Sequence, residues 1–407
     1  MAGIRFRGYQ IDAIKKMHNG CILCGGVGSG KSLTALGYYY LISGGDIYAK
    51  KYTRMRDEPP MDLYIITTAM KRDKHEWDKE LLPFLLSTDP KTNYYKNKVV
   101  IDSWNNIKKY VDAKDSFFIF DEQRVVGNGT WVKSFLKITR KNSWILLSAT
   151  PGDTWSDYIP VFIANGFYRN RSDFSQQHIV YARYCTFPKI DRYINTRKLV
   201  RLRERILVDM DYERKAKAEH TWCYCDYDIS AYKQAMKTRW DPYKDEPIQN
   251  AGGLCYILRR IVNSDESRLD ELRRLLTSHP KVIVFYNFDY EREGLIGSLR
   301  LLRYPYSEWS GHAHQEIPDD GHRWVYLVQY TAGCEGWNCI KTDTIIFFSQ
   351  NYSYKVMEQA AGRIDRLNTP YDRLYFYHFT SRSPIDRAIT NAVKTKKIFN
   401  ERRFVKW

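Results

Sequence analysis

Gly25, Gly30, Lys31 and Ser32 stand in the stretch GGVGSGKS, a G-x-x-x-x-G-K-S spacing. Glycines at this spacing let the backbone curl until successive N–H groups point inward at phosphate oxygens. Lys31 would then reach the β/γ-phosphates, and the Ser32 hydroxyl would ligate Mg²⁺. With Gly28 inside the same loop, these residues form a candidate ATP site. A second chemical group lies in SFFIFDEQR, where the apolar run Phe117–Phe120 ends in Asp121 and Glu122. Asp121 is expected to hold the metal and Glu122 to polarise an attacking water as general base. An Asp-Glu pair after a strand is ordinary, but behind a complete phosphate loop it points to hydrolysis of a nucleoside triphosphate. A third group is QAAGRIDR, Gln359–Arg366, with Arg363 and Arg366 three residues apart. Guanidinium groups are planar, permanently charged and able to bind two phosphate oxygens at once.

These residues need a frame. CILC (Cys21–Cys24) reads as a short buried strand, and SLTALGYYYLI after the loop has helical periodicity. Strand, loop and helix N-terminus is the arrangement in which a helix dipole favours an anion. Strand-like apolar runs recur at 21–24, 62–67, 98–101, 117–120 and 145–148, separated by helix-length segments. A second series follows at 282–286, 324–329, 344–349 and 374–379. That alternation predicts an α/β protein with two doubly wound parallel sheets. The expected division is 1–165 for an N-terminal ATP-binding lobe, 166–218 for a basic connecting segment and 219–407 for a second lobe. The connector carries KLVRLRERI and ERKAKAE, and the second lobe is expected to open on the strand-like HTWCYCDYDI. The basic tail KTKKIFNERRFVKW is expected to be helical, with Phe399, Phe404 and Trp407 as packing contacts.

With 407 residues the chain is long enough for two cores. The 64 Lys and Arg against 47 Asp and Glu leave a net charge of +17, which suits a polyanionic partner. Thirty-two tyrosines and eleven tryptophans add stacking surfaces for bases, although most such side chains belong to cores and surface packing. No apolar run approaches the roughly 20 residues that span a bilayer, and the N-terminus has no signal-peptide form. A soluble, cytoplasmic protein is expected. Of eight cysteines, Cys21 with Cys24 and Cys223 with Cys225 lie on strand-like runs, so buried reduced thiols and no zinc site are expected.

The order of the motifs resembles that of superfamily 2 helicases and translocases, from residue 7 to about residue 366. RGYQIDAI resembles the glutamine motif, which makes Gln10 the expected reader of adenine. LYIITTAMKRDKHEW, DSWNNI and YTAGCEGWN resemble segments that touch a nucleic-acid backbone, which implicates Thr67, Thr68, Ser103, Thr331, Gly333 and Asn338. SATP resembles the motif coupling the ATP site to nucleic acid, through Ser148 and Thr150. The resemblance makes Gln359, Arg363 and Arg366 part of the catalytic set, the two arginines as fingers on the transferred phosphoryl group. It further implies two RecA-like lobes with the nucleotide in the cleft between them. AGCEGWN and LCYILRRIVNSDESRLDELRRLL look closest to SWI/SNF-type DNA translocases, and GFYRNRSDF to compact phage helicases of DEAD/DEAH-like type. One departure is DEQR in place of DEAH or DEAD. The resemblance implies ATP-dependent movement along duplex or branched DNA, favoured over RNA, with replication or recombination proteins as further partners. The alternatives are an RNA helicase, the motor subunit of a restriction system, or an ATP-gated nucleic-acid-binding scaffold without turnover.

Overall fold

The structure is a computed structural model describing residues 3–26, 28–57, 59–122, 125–149, 151–152, 154–182, 188, 190–212, 216–318, 321–333, 337, 339–366, 369–395, 399 and 401–405. The chain divides into two compact units, Met1–Glu213 and Arg214–Trp407.

The first unit is built on β1 (Ile22–Cys24), β2 (Leu63–Thr67), β3 (Val99–Ser103), β4 (Phe117–Asp121) and β5 (Ser143–Ser148). A short antiparallel pair, β6 (Ile179–Tyr181) and β7 (Ile190–Tyr193), stands apart. The sixth strand of the main sheet, β8 (Leu207–Asp209), pairs with β1. The order is β3-β2-β4-β5-β1-β8, with every neighbouring pair parallel. The strands are apolar almost throughout because both faces are covered. Alternation sorts them cleanly. Leu23, Leu63, Ile65, Phe117, Ile119, Ile145 and Leu147 enter one core, whereas Ile22, Tyr64, Ile66, Phe118, Phe120 and Leu146 enter the other.

The segment 166–218, expected as a connector, contributes a helix at Arg171–His178, both strands of the small pair and a helix at Thr196–Ile206 to this unit. Its basic run lies on that last helix, where Leu199 and Ile206 are buried, Arg197 and Arg201 are exposed, and Arg203 lies half-buried over the Trp155 ring. β8 then closes the edge of the sheet, so the segment is largely part of the first lobe rather than a strap between lobes.

The second unit begins with β9 (Lys217–Cys225), followed by a two-residue pair, β10 (Trp240–Asp241) and β11 (Glu246–Pro247). β12 (Lys281–Tyr286), β13 (Tyr306–Trp309), β14 (Trp324–Gln329), β15 (Thr344–Phe347) and β16 (Arg373–Ser381) complete a parallel sheet. Its order is β13-β14-β12-β15-β16-β9. Period two again divides the side chains: Ile283, Phe285, Tyr326 and Phe347 go to one face, and Val282, Val284, Leu327 and Ile346 to the other. A third cluster joins the helices Ala251–Asn263 and Pro384–Lys394 to Phe399 and Val405. Phe399 packs at a tilt against Tyr352 and Phe404, as expected of the tail, while Trp407 lies outside the described residues.

The segment LCYILRRIVNSDESRLDELRRLL forms two helices held by buried arginines. Arg259 donates to the Gln350 carbonyl at 2.7 Å and lies over the rings of Phe288 and Tyr352. Arg268 pairs with Asp386 at 2.7 Å and donates to the Phe348 carbonyl. Among the described residues no helix is long and apolar enough to cross a membrane, and no group of three or more His, Cys, Asp or Glu is gathered to hold a metal ion. Burial pushes the Cys21, Cys24, Cys223 and Cys255 thiols up to about 12, so they stay protonated.

Candidate active site

The carboxyl ends of parallel strands all open on one edge of a sheet, the edge where doubly wound α/β proteins bind ligands. In the first unit that edge gathers the loop after β1, Thr67 at the end of β2, Ser103 at the end of β3, Asp121 at the end of β4 and Ser148 at the end of β5.

The loop Gly25–Gly30 runs from β1 into helix α2 (Lys31–Ile42). Gly28 and Gly30 have φ of 81° and 80°, the left-handed region that glycine enters without a steric penalty. A side chain at Gly25 would meet the Ser29 hydroxyl at 2.6 Å, so the loop is also too tight there for a Cβ. The Lys31 ammonium donates to the carbonyls of Gly25 at 2.7 Å and Gly26 at 2.8 Å, closing the curl on itself. Gly25 N–H donates to the Ser148 carbonyl, which ties the predicted coupling strand directly to the loop. Thr150, its predicted partner, lies outside the described residues.

Gln10, on helix α1 (Gly8–Lys16), is only 3 % exposed. Its oxygen accepts from Arg7 N–H, and its amide nitrogen donates to the Gly30 carbonyl at 3.3 Å and the Thr34 hydroxyl at 3.2 Å. Both ends of the amide are engaged here, and they brace the start of α2. Tyr9 adds a bond from its hydroxyl to the Ser29 carbonyl.

Asp121 is buried, and one carboxylate oxygen, Oδ2, accepts from three donors: Thr67 Oγ1 at 2.8 Å, Lys71 Nζ at 2.9 Å and Trp77 Nε1 at 3.1 Å. The Asp121 carbonyl accepts from Trp104 Nε1 at 2.9 Å. Glu122 follows in the left-handed region, φ 58°, and its carboxylate lies 3.0 Å from the same Lys71 ammonium. Lys71 sits on the short helix α3 (Ala69–Asp73), and Trp77 on α4 (Glu76–Leu81), both directly after β2. Burial pushes the Lys31 ammonium down to about 8, with Lys71 as the next contributor and Asp121 opposing them. For Lys71 burial acts in the same direction but is overcome, and Asp121 and Glu122 raise it above its ordinary value. Two lysines and two carboxylates thus share one electrostatic field.

These groups fit the ligands the sequence implied. The loop offers a lysine for phosphates, held here on the Gly25 and Gly26 carbonyls. The carboxylates are hard oxygen donors that already attract the Lys71 ammonium, which suits Mg²⁺.

Three further expected residues have surroundings that bear on their roles. Thr67 is fully buried and its hydroxyl donates to Asp121, where it positions the carboxylate. Ser103 is likewise buried, its amide bonded to Asp102 and its hydroxyl facing Arg72. Thr68 is half-buried and caps α3 by accepting from the Lys71 amide. In the second unit, Thr331 is exposed on the turn Tyr330–Gly333, which Trp309 pins by donating to the Ala332 carbonyl at 3.0 Å. Asn338, like Gln123 and Arg124 of the departing DEQR, lies outside the described residues.

The third is Arg363. It is 6 % exposed, and its guanidinium donates to the Trp337 carbonyl at 2.7 Å and the Gln359 carbonyl at 3.1 Å. In this conformation its guanidinium is held by the backbone of its own lobe. Gln359 and Arg366 are half-buried, at the end of helix Tyr354–Ala361 and just beyond it. Sequence reasoning missed Lys71, Trp77 and Trp104. The first two lie in the quoted TTAMKRDKHEW, where a cation placed one turn past a strand's carboxyl end was the available signal.

Two parallel six-stranded sheets of this order, each flanked by helices, are RecA-like lobes of the kind found in helicase domains. The chain is similar in fold to the Hef helicase domain of Pyrococcus furiosus, with a TM-score of 0.51 and 13 % identity over 97 % of this chain and all of that one. A looser similarity, TM-score 0.44 at 13 % identity, reaches the SWI2/SNF2 ATPase core of Sulfolobus solfataricus solved with double-stranded DNA, over 97 % of this chain and 93 % of that one. No protein-family description matches the chain, and no curated protein does.

Proposed function

We propose that the protein is an ATP-dependent DNA translocase of helicase type. The observation that carries this reading is the meeting of Lys31, in a closed glycine loop, with Asp121 and Glu122 at the carboxyl edge of one parallel sheet. Lys31 would exchange the Gly25 and Gly26 carbonyls for phosphate oxygens. Ser32 and Asp121 would hold Mg²⁺, which when bound neutralises charge on the phosphates. Glu122 would orient and deprotonate the attacking water. Arg363 and Arg366 are the candidates for the additional cation from the second unit, and Arg363 would have to leave the Trp337 and Gln359 carbonyls to serve. Thr68, Thr331 and Gly333 are candidates for nucleic-acid contacts, and the net charge of +17 favours a polyanionic track. The preference for DNA rests on the resemblance of AGCEGWN to duplex-DNA trackers.

The test is ATP hydrolysis by the purified protein, alone and with single-stranded, duplex or branched DNA or with RNA, using Lys31→Ala as the blank. Stimulation by duplex or branched DNA is the expected result. Stimulation by RNA alone would reverse the choice of track, and no hydrolysis above the blank would end the motor reading.

A further inference from the structure

Lys71 has no place in the phosphate loop or the metal ligands, yet its ammonium stands 2.9 Å from Asp121 and 3.0 Å from Glu122. It is therefore seated on both acids of the site at once. Its backbone holds it there: α3 begins directly after β2, and the Thr68 hydroxyl caps the helix at the Lys71 amide. The next residue, Arg72, fastens the other side of the helix to Asp102 at 3.1 Å. Asp121 is also oriented by Thr67 and Trp77, so its carboxylate does not need Lys71 merely to fill hydrogen bonds.

Among these four described groups the formal charges balance without any metal. Asp121 and Glu122 contribute two negative charges, and Lys31 and Lys71 two positive ones, all within one field. A free divalent cation entering this group would meet two resident ammonium ions and leave a net surplus of positive charge. In a partly buried site such an imbalance is poorly screened by salt. A divalent cation arriving with a triphosphate brings its own negative charge and meets no such obstacle.

We infer that Lys71 is the resident counter-cation of the metal site, which closes the carboxylate pair to free divalent cations and admits the metal only together with nucleotide. The inference rests on the ATP-site reading above and deepens it. Lys71 is in these terms a positioning residue, acting on the site through Asp121 and Glu122.

The experiment is a Mn²⁺ titration of the nucleotide-free protein, with free Mn²⁺ followed by electron paramagnetic resonance. The wild type, Lys71→Met, Lys71→Gln and the double variant Lys71→Met with Asp121→Asn are compared. Removing the ammonium is expected to tighten Mn²⁺ binding at least tenfold, and Asp121→Asn to abolish the gain. The thermal midpoint of Lys71→Met should correspondingly rise with added Mn²⁺ far more than that of the wild type. Equal Mn²⁺ affinity in wild type and in whichever single variant folds would overturn the inference, as would tight Mn²⁺ binding by the nucleotide-free wild type. Binding of a fluorescent ATP analogue with Mg²⁺ to the wild type is measured alongside. Its absence would remove the ATP-site reading itself, an outcome distinct from an unchanged Mn²⁺ affinity.

Discussion

Thr67 shows how a residue's chemistry depends on which way its strand delivers it. Threonine beside threonine at the end of an apolar strand suggested two hydroxyls for a phosphodiester backbone. Alternation along β2 sends Thr67 inward to Asp121 and leaves Thr68 to cap α3. The two roles predict different failures for Thr67→Val, which keeps the shape and removes the donor. A buried carboxylate deprived of one donor loses a charge-assisted hydrogen bond, commonly about 1.5–3 kcal/mol. The variant should therefore unfold at lower denaturant concentration and hydrolyse ATP more slowly, with nucleic-acid affinity unchanged. Denaturation and a DNA-binding titration check it, and loss of DNA affinity at full stability would favour the backbone-contact reading. The glycine loop, Lys31 and the two acids were legible because their motif fixes local backbone and chemistry together. The contacts of Lys71, Gln10 and Arg363 were not, since each depends on a partner from a distant segment that no local pattern specifies.

Among the elements, the long central strands were legible and the edges were not. A strand covered on both faces is a continuous apolar run, as in FFIF of β4 or VIVF of β12, whereas β8 offers three residues after a run of cations. The edge strand β9 is half polar, with Cys223 and Cys225 buried and Tyr224 exposed between them. Beside it on β16, His378 is packed against Trp222, His220 and Phe347, bonds to His220 at 2.9 Å, and has Lys394 nearby over the Trp222 ring. Burial first, then the neighbouring His220 and Lys394, push its imidazole down from 6.5 to about 3. The folded state thus keeps His378 neutral where the unfolded chain takes up a proton. Stability is retained above about pH 6.5 and falls as pH drops toward 3, by roughly 1.4 kcal/mol per pH unit for one proton. His378→Phe keeps a ring in the stack and removes the titration. Its stability between pH 6.5 and 4, followed by urea unfolding, should decline less steeply than that of the wild type by about one proton. An unchanged slope would assign the acid sensitivity to other groups.

At the scale of the whole molecule, each unit carries its own sheet with a core on both faces, and in each the two cores are sorted by simple alternation. Among the described residues neither sheet borrows a strand from the other unit. Such units can unfold separately, and the loop, Lys31, Asp121 and Glu122 all belong to the first. A ligand that binds only the folded state stabilises it by RT ln(1 + [L]/Kd), about 2.7 kcal/mol at one hundred times Kd. For a unit of this size that corresponds to a rise of roughly 5–10 °C in its midpoint. Calorimetry of the full chain should therefore show two transitions, only one of which rises with Mg²⁺ and a non-hydrolysable ATP analogue. Residues 1–213 expressed alone should fold and bind the analogue with similar affinity. Hydrolysis stimulated by nucleic acid should be missing from that fragment, because the proposed Arg363 and Arg366 and the 330–339 segment belong to the second unit. A fragment that hydrolyses ATP at the full rate with DNA would show the second unit to be dispensable and would exclude both arginines from the reaction. A fragment that binds nucleotide but turns it over only slowly would place the missing cation in residues 214–407, where Arg366→Ala in the full chain would then tell the two candidates apart.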